Sequence, residues 1–397
     1  MLPPIISAPG LPGQEEQAAT RALTAALRLA ATQEGGSLSM ARFMELCLYE
    51  PQWGYYTSGR VKFGAEGDFV TAPELTPLFA RCMARQIAQV LEASDGEHIL
   101  EIGAGSGLLA AELMKSLREL GQLPNRYYLF DLSEALRERQ ARTLQALIPD
   151  LFSRFVWLDR LPASAISGAI IANEVLDALP VHCFFVEHGA IRERRVMWTG
   201  NGFGWSADAL FPSSAEARIE RLLRALPAPL ETGYASEINL GLDAWFFSCY
   251  SSLARGALFC VDYGYPRAEY YHPQRRQGTL ICHYRHRAHN DPLILLGLQD
   301  ISSFVDFTAA ADAACTAGFR LAGYASQAHF LLSCGIDQVL EHCQNRAPGR
   351  YLRNAQQAKS LLLPGEMGER FKVLALTKNM EQPLLGFRLF DHRERLV

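Results

Sequence analysis

The 397-residue sequence has no Cys-x-x-Cys pair, no excess of charge of either sign, no internal repeat and no low-complexity tract. It also lacks any apolar run approaching the ~20 residues that would span a bilayer. Each absence removes a class of protein. Nine cysteines, at positions 47, 82, 183, 249, 260, 282, 315, 334 and 343, are odd in number and mostly flanked by apolar residues. That pattern suits reduced thiols buried as small hydrophobes, not a disulfide framework. The 38 Lys and Arg residues nearly balance 42 Asp and Glu, for a formal net charge of -4. No global field gathers nucleic acid or an anionic membrane, so neither partner is favoured. Met1-Leu2-Pro3-Pro4-Ile5-Ile6 carries no basic region and no long apolar stretch, so no secretory signal and no membrane insertion are expected. These features together predict a cytoplasmic enzyme.

What is present is a chain that is 49% hydrophobic and 20% charged, enough for a large buried core in about two or three structural units. Ala and Leu recur at helical spacing from Glu15 to Thr32, and Gly35-Gly36 ends that helix. A second helix is predicted from a Ser39 cap through Leu48, followed by a turn over Pro51-Gln52-Trp53-Gly54-Tyr55-Tyr56. Phe63 to Glu74 holds too many glycines for a helix and reads as a long loop. From His98 the rhythm changes to short apolar strands alternating with helices, which predicts an α/β fold with a parallel sheet covered on both faces. The strands fall at His98 to Ile102, Arg126 to Leu132, Arg154 to Leu158, Gly168 to Ala172 and Ala257 to Asp262. Cys183 to Val186 and Ile191 to Met197 flank His188-Gly189 as an inserted β-hairpin. Closing strands are expected at Phe319 to Tyr324 and Phe371 to Thr377. The segmentation that follows is 1–90 for N-terminal helices and a substrate or lid loop, 91–265 for a nucleoside-binding core with an insertion near 181–250, and 266–397 for closing strands and substrate-side additions.

The first strand ends in Glu101 and runs into Ile102-Gly103-Ala104-Gly105-Ser106-Gly107, after which Leu108 to Leu117 reads as helix. Bare backbone at a helix N-terminus lets a ligand approach closely. A dinucleotide fingerprint needs a third glycine at the sixth position of the turn, where Leu108 stands. The pyrophosphate reading, and with it a nicotinamide-dependent oxidoreductase, is weakened. A Gly-x-Gly-x-Gly turn after an acidic residue instead suits an amino-acid-bearing nucleoside, namely S-adenosyl-L-methionine. Asp131, at the end of the second strand, is placed to accept ribose hydroxyl protons. Two alternatives remain at this point: the glycines serve only a sharp bend, and Asp131 caps the helix beginning at Ser133.

These residues resemble the MidA-type methyltransferases, whose mitochondrial members are complex I assembly arginine methyltransferases. The resemblance spans nearly the whole chain. It includes Tyr49-Glu50-Pro51 with Gly54-Tyr55-Tyr56, the loop Gly67-Asp68-Phe69-Val70-Thr71-Ala72-Pro73-Glu74, the glycine turn, and Asn173-Glu174-Val175-Leu176-Asp177-Ala178-Leu179-Pro180. Further matches are Asp262-Tyr263-Gly264-Tyr265, Gly278-Thr279-Leu280, Val305-Asp306-Phe307 and Pro364-Gly365-Glu366-Met367-Gly368. The resemblance implies a class I methyltransferase Rossmann-like sheet, seven strands with the last antiparallel, and S-adenosyl-L-methionine held by Glu101, Gly103, Gly105, Gly107 and Asp131. It also implies methyl transfer to a protein arginine, with a respiratory complex subunit as partner. The alternatives are transfer to a small molecule or another side chain, and a non-catalytic assembly chaperone that keeps the cofactor site.

A guanidinium acceptor requires carboxylates, because with a pKa above ~12 it is a poor nucleophile until acids bind it and take a proton. Asn173, Glu174 and Asp177 follow the fourth strand at the sheet edge where open α/β folds bind ligands, and are the candidate catalytic residues. Asp177 can equally cap a turn, with Glu174 merely solvated. Asp68, Thr71 and Glu74 are candidates for a lid, and Asp262 with Tyr263 for a pocket wall. Cys282, His283, His286 and His289 cluster, but two arginines among them oppose a cation, and no metal is expected.

Overall fold

The structure is a computed structural model that describes residues 13–59, 71–162, 164–209, 211, 213–346 and 351–396. The chain divides into two compact units, each drawn from three stretches: 1–69, 177–241 and 265–304 form one, and 70–176, 242–264 and 305–397 form the other. Each of the segments 1–90, 91–265 and 266–397 therefore contributes to both.

The second unit carries the α/β sheet. Its strands in chain order are β1 (His98–Ile102), β2 (Arg126–Phe130), β3 (Phe155–Leu158), β4 (Ile166–Asn173), β5 (Leu253–Tyr265), β6 (Arg320–Ser326) and β7 (Phe371–Lys378). Their spatial order is β6-β7-β5-β4-β1-β2-β3, with the short Val305–Asp306 beside β5. Of the seven long strands, β7 runs antiparallel, against both β5 and β6. This is the expected class I methyltransferase arrangement. Central strands β1 and β4 are almost wholly buried, which is why their sequences are apolar runs without alternation.

Helices cover the sheet. Helix α1 (Pro77–Ser94) starts at Thr76, whose side chain accepts from Leu78 N at 3.3 Å, and stops at Asp95 in the left-handed region with φ 47°. Helices α2 (Leu108–Glu119) and α3 (Glu134–Leu147) follow β1 and β2. The core between these layers includes Phe79, Ile87, Leu113, Tyr127, Ile171 and Phe259.

The first unit is built on antiparallel pairing. His182–Glu187 and Ala190–Trp198 form the expected hairpin around His188 and Gly189, both at positive φ, and pair further with Ser37–Ser39, Phe203–Ala209 and Ala235–Ile238. Ile281–Tyr284 is flanked by Arg287–His289 and Asp300–Ser302 in a second, three-stranded sheet. Gln14–Gln33 buries Leu23, Leu27 and Ala31, one face at four-residue spacing. The predicted Ser39 cap is present, accepting from Arg42 N at 3.1 Å at the start of Met40–Tyr49. No helix among the described residues is long and apolar enough to cross a membrane.

Candidate active site

Parallel register brings four strand ends of the second unit into one row. Ile102 is level with Phe130 and with Ala172, and Asn173 is level with Val261. The next residue along each strand therefore places Asp131, Gly103 and Asn173 side by side at the carboxyl edge, about 4.8 Å per step. Gly103 N extends the ladder by one bond, donating to Phe130 O at 2.9 Å.

The turn after β1 depends on glycine. Gly103, Gly105 and Gly107 have φ of 69°, 54° and 82°, where L side chains are strained. A Cβ at Gly103 would meet Val175 Cγ2 at 3.0 Å, and one at Gly107 would meet Gln140 Cα at 3.2 Å. Gly107 also caps α2, so the turn delivers backbone to a helix N-terminus as the sequence predicts.

Acidic groups surround this turn. Asp131 is 8% exposed, and its Oδ1 accepts from Ser133 N at 3.0 Å while Oδ2 accepts from Gln140 Nε2 at 3.0 Å. Ser133 itself caps α3, accepting from Leu136 N at 3.3 Å. Glu74 receives a short hydrogen bond from Ser106 Oγ, joining the short helix Ala72–Leu75, which follows Thr71, to the glycine turn. Asp68 lies outside the described residues.

Glu101 is 1% exposed and accepts from Tyr127 Oη at 2.7 Å. Burial pushes its pKa up to about 7, opposed by the Tyr127 bond and helped by the Asp131 charge. The unfolded chain loses this proton near 4.5 while the folded chain keeps it until about 7. Folding stability from this group is therefore complete below the lower value, falls as pH rises between the two, and levels above the upper one, a loss of about 3 kcal/mol. Glu101→Gln removes the proton. In urea titrations the decline in stability from about pH 5 to about pH 8 should be smaller in the variant by about 2 to 3 kcal/mol, and equal declines would exclude Glu101 as its source.

After β4 the chain turns sharply. Glu174 sits at φ 53°, with its N donating to Val261 O at 2.8 Å. Asn173 Nδ2 donates to Glu174 Oε1 at 3.2 Å. Asn173 Oδ1 is buried and finds no hydrogen-bond partner among the described residues. Asp262, 1% exposed, holds the same turn: Oδ2 accepts from Leu176 N at 2.9 Å and Oδ1 from Tyr263 N at 2.9 Å. The Tyr263 ring packs edge-on against Phe371 at 5.6 Å.

Asp177 belongs to the first unit, where it is 6% exposed and its carbonyl accepts from Ser303 N at 3.0 Å. Tyr49 Oη donates to Ala178 O at 2.9 Å, Tyr49 stacks on Tyr56 with ring centroids 5.6 Å apart, and Tyr56 Oη donates to Asp300 Oδ1 at 2.8 Å. Ser302 Oγ donates to Asp300 Oδ2 at 2.6 Å. Burial, then the charge of Asp300 and the neighbourhood of Tyr49 and Asp177, raise the Tyr56 pKa well above normal, so its hydroxyl stays a donor. Asp300 and Gln140 were not singled out in the sequence. Asp300 carries no local signal, whereas Gln140 shares a four-residue stripe with Leu136 and Leu144 on the buried face of α3. A polar side chain in such a stripe signals a buried partner.

A glycine cradle that a Cβ would fill, an acid beside it and a buried amide oxygen aimed at no described partner fit a nucleoside with an amino-acid arm. Comparison with known proteins agrees. The family model for S-adenosyl-L-methionine-dependent methyltransferases matches residues 82–325. A methyltransferase-family crystal structure from Burkholderia thailandensis, bound to S-adenosyl-homocysteine, is 42% identical, with a TM-score of 0.91 over 97% of this chain and 99% of that one. The mitochondrial protein arginine methyltransferase NDUFAF7 of Homo sapiens is 27% identical over 86% of this chain and 80% of its own. Its Drosophila melanogaster homolog is 26% identical over 89% and 85%. These curated relatives are mitochondrial proteins, which overturns the cytoplasmic placement: neither charge balance nor the lack of a long apolar run reports on compartment. With its sheet, its glycine turn and its relatives in agreement, the chain belongs to the S-adenosyl-L-methionine-dependent methyltransferase family and is an enzyme that uses that cofactor.

Proposed function

We propose that this methyltransferase modifies an arginine side chain of a protein. The observation that carries the reading is the Asn173–Glu174 turn, where an acidic residue is held at φ 53° beside an amide oxygen with no described partner. Left-handed backbone at a non-glycine residue is costly and collects where a side chain must be aimed. The names of the curated relatives, protein arginine methyltransferases, support the same acceptor.

In this proposal Glu101, Gly103, Gly105, Gly107 and Asp131 hold the cofactor, which supplies a methyl group on a sulfonium. Asn173 Oδ1 accepts a hydrogen bond from the acceptor nitrogen and fixes its approach. Glu174 binds the guanidinium and takes the proton it releases as the nitrogen–carbon bond forms and the methyl–sulfonium bond breaks. Positioning in a water-poor pocket supplies much of the acceleration, since alignment of the reacting pair removes most of the entropic barrier. Asp262 acts through the backbone it holds, and Tyr263 lines the wall. Thr71 and Glu74 belong to the lid, a role the Ser106–Glu74 bond supports by tying their segment to the turn. The resemblance in sequence suggests a respiratory complex I subunit as the acceptor protein.

Incubating the purified protein with methyl-labelled cofactor and an extract of cells lacking it, followed by acid hydrolysis, tests the acceptor. Label in methylarginine is expected. Label confined to a small metabolite or to another side chain would overturn the arginine reading, and no transfer at all would favour a chaperone that retains the cofactor site.

A further inference from the structure

We infer that Gln140 is a positioning residue of the cofactor site, a buried clamp that joins the glycine turn to Asp131 and takes its orientation from Trp157. It concerns only the methyl-donor half and does not depend on which acceptor is methylated.

Gln140 is wholly buried. Its Nε2 donates to Gly105 O at 3.2 Å and to Asp131 Oδ2 at 3.0 Å, and its Oε1 accepts from Trp157 Nε1 at 3.0 Å. The two ends of a carboxamide look alike in shape but not in chemistry. An indole N–H can only donate, so it fixes the oxygen end towards Trp157 and leaves both amide hydrogens for the turn carbonyl and the acid. Each of these three bonds then has the correct polarity. Gly105 lies on the loop after β1 and Asp131 at the end of β2, so one side chain from α3 sets their spacing. Gly107 closes the contact from the other side, since a Cβ there would fall 3.4 Å from Gln140 Cβ. The amide also steadies Asp131 Oδ2 while Ser133 N holds Oδ1, which fixes the rotation of the carboxylate proposed to meet the cofactor.

Glutamate at 140 would place a second carboxylate against Asp131 and the Gly105 carbonyl, with no hydrogen to offer either when ionised. Protonated, it could donate once. Asp131 in turn feels the charge of Glu101 and holds Arg137, whose Nε donates to Asp131 O at 2.8 Å and whose Nη1 binds Asp159 at 2.6 Å. Glu101 titrates in the same range, so wild type measured at each pH is the reference.

S-adenosylhomocysteine binding by calorimetry tests the clamp in wild type, Gln140→Glu and Trp157→Phe. Q140E should bind at least roughly 30-fold more weakly than wild type at about pH 8.5, and within roughly 5-fold of it at about pH 6. W157F, which loses the orienting donor, should bind roughly 5- to 10-fold more weakly at both, with kcat at saturating cofactor within about 2-fold of wild type. A residue that only filled space would lower the melting temperature of the ligand-free protein without this pH dependence or this split between KM and kcat. Affinity equal to wild type in Q140E at both pH values, or in W157F, overturns the proposal. If Q140E does not fold, Gln140→Met, close in shape, should lose affinity equally at both pH values, and unchanged affinity there overturns it as well.

Discussion

Replacing Gly103 by valine is expected to abolish cofactor binding while leaving most of the fold intact. Two independent costs fall on this position. At φ 69° a β-branched residue is forced into the left-handed region, at about 1 to 2 kcal/mol. Its Cβ would also arrive 3.0 Å from Val175 Cγ2, and its two methyl groups would extend into space the turn keeps open. The turn can relieve these costs only by moving, and Gly103 N is fixed to Phe130 O at 2.9 Å, so movement tears the row that aligns Asp131 with the turn. An affinity loss of at least 100-fold, about 2.7 kcal/mol, is expected in S-adenosylhomocysteine titrations, with no detectable methyl transfer. Gly35→Ala is the control: φ is 82° but nothing lies within 4 Å of the added Cβ, so stability should drop by about 1 kcal/mol with affinity unchanged. Wild-type affinity in Gly103→Val would mean that the glycine turn is not the cofactor loop.

The parallel sheet and its glycine turn were legible in the sequence for a physical reason. A strand covered on both faces has to be apolar throughout, so His98 to Ile102 and Gly168 to Ala172 stand out as short runs between helices. The hairpin around His188-Gly189 is equally local, because turn chemistry and strand length lie within a few residues of each other. Pairings that join distant stretches were not legible. Asp300 meets Tyr56 across 244 positions, and Glu237 accepts from Thr279 N at 2.9 Å and from its hydroxyl at 3.0 Å across 42. No periodicity records such a partner. The Gly278-Thr279-Leu280 motif becomes intelligible only with it, since a Cβ at Gly278 would lie 2.0 Å from Glu237 Oε1. The two units are not written in linear boundaries for the same cause, since each is stitched from three separate stretches of chain. Gln140 was legible in principle, as a polar side chain on an apolar helical face, although its three partners were not.

Glu174 should separate catalytic power from stability. Its φ of 53° costs free energy that glycine would not incur, and its carboxylate is the group proposed to hold the guanidinium and accept its proton. Glu174→Gly keeps the turn, since Glu174 N can still donate to Val261 O and Asp262 still holds Leu176 N. Relief of strain offsets the extra freedom glycine gains in the unfolded chain, so stability should be unchanged or rise by up to about 1 kcal/mol. Turnover should nonetheless fall by roughly 10²- to 10⁴-fold, the usual contribution of a positioned proton acceptor. Glu174→Gln tests charge at constant shape: Asn173 Nδ2 can still donate to the amide oxygen in place of Oε1, yet no carboxylate remains to pair with a cation. Both variants should bind S-adenosylhomocysteine within a few-fold of wild type, because the contacts proposed to hold it come from the glycine turn and Asp131. If Glu174→Gln keeps more than about a third of wild-type turnover, Glu174 is not the proton acceptor. A strained acid would then serve only to aim the backbone, which Glu174→Gly would reveal by retaining activity too.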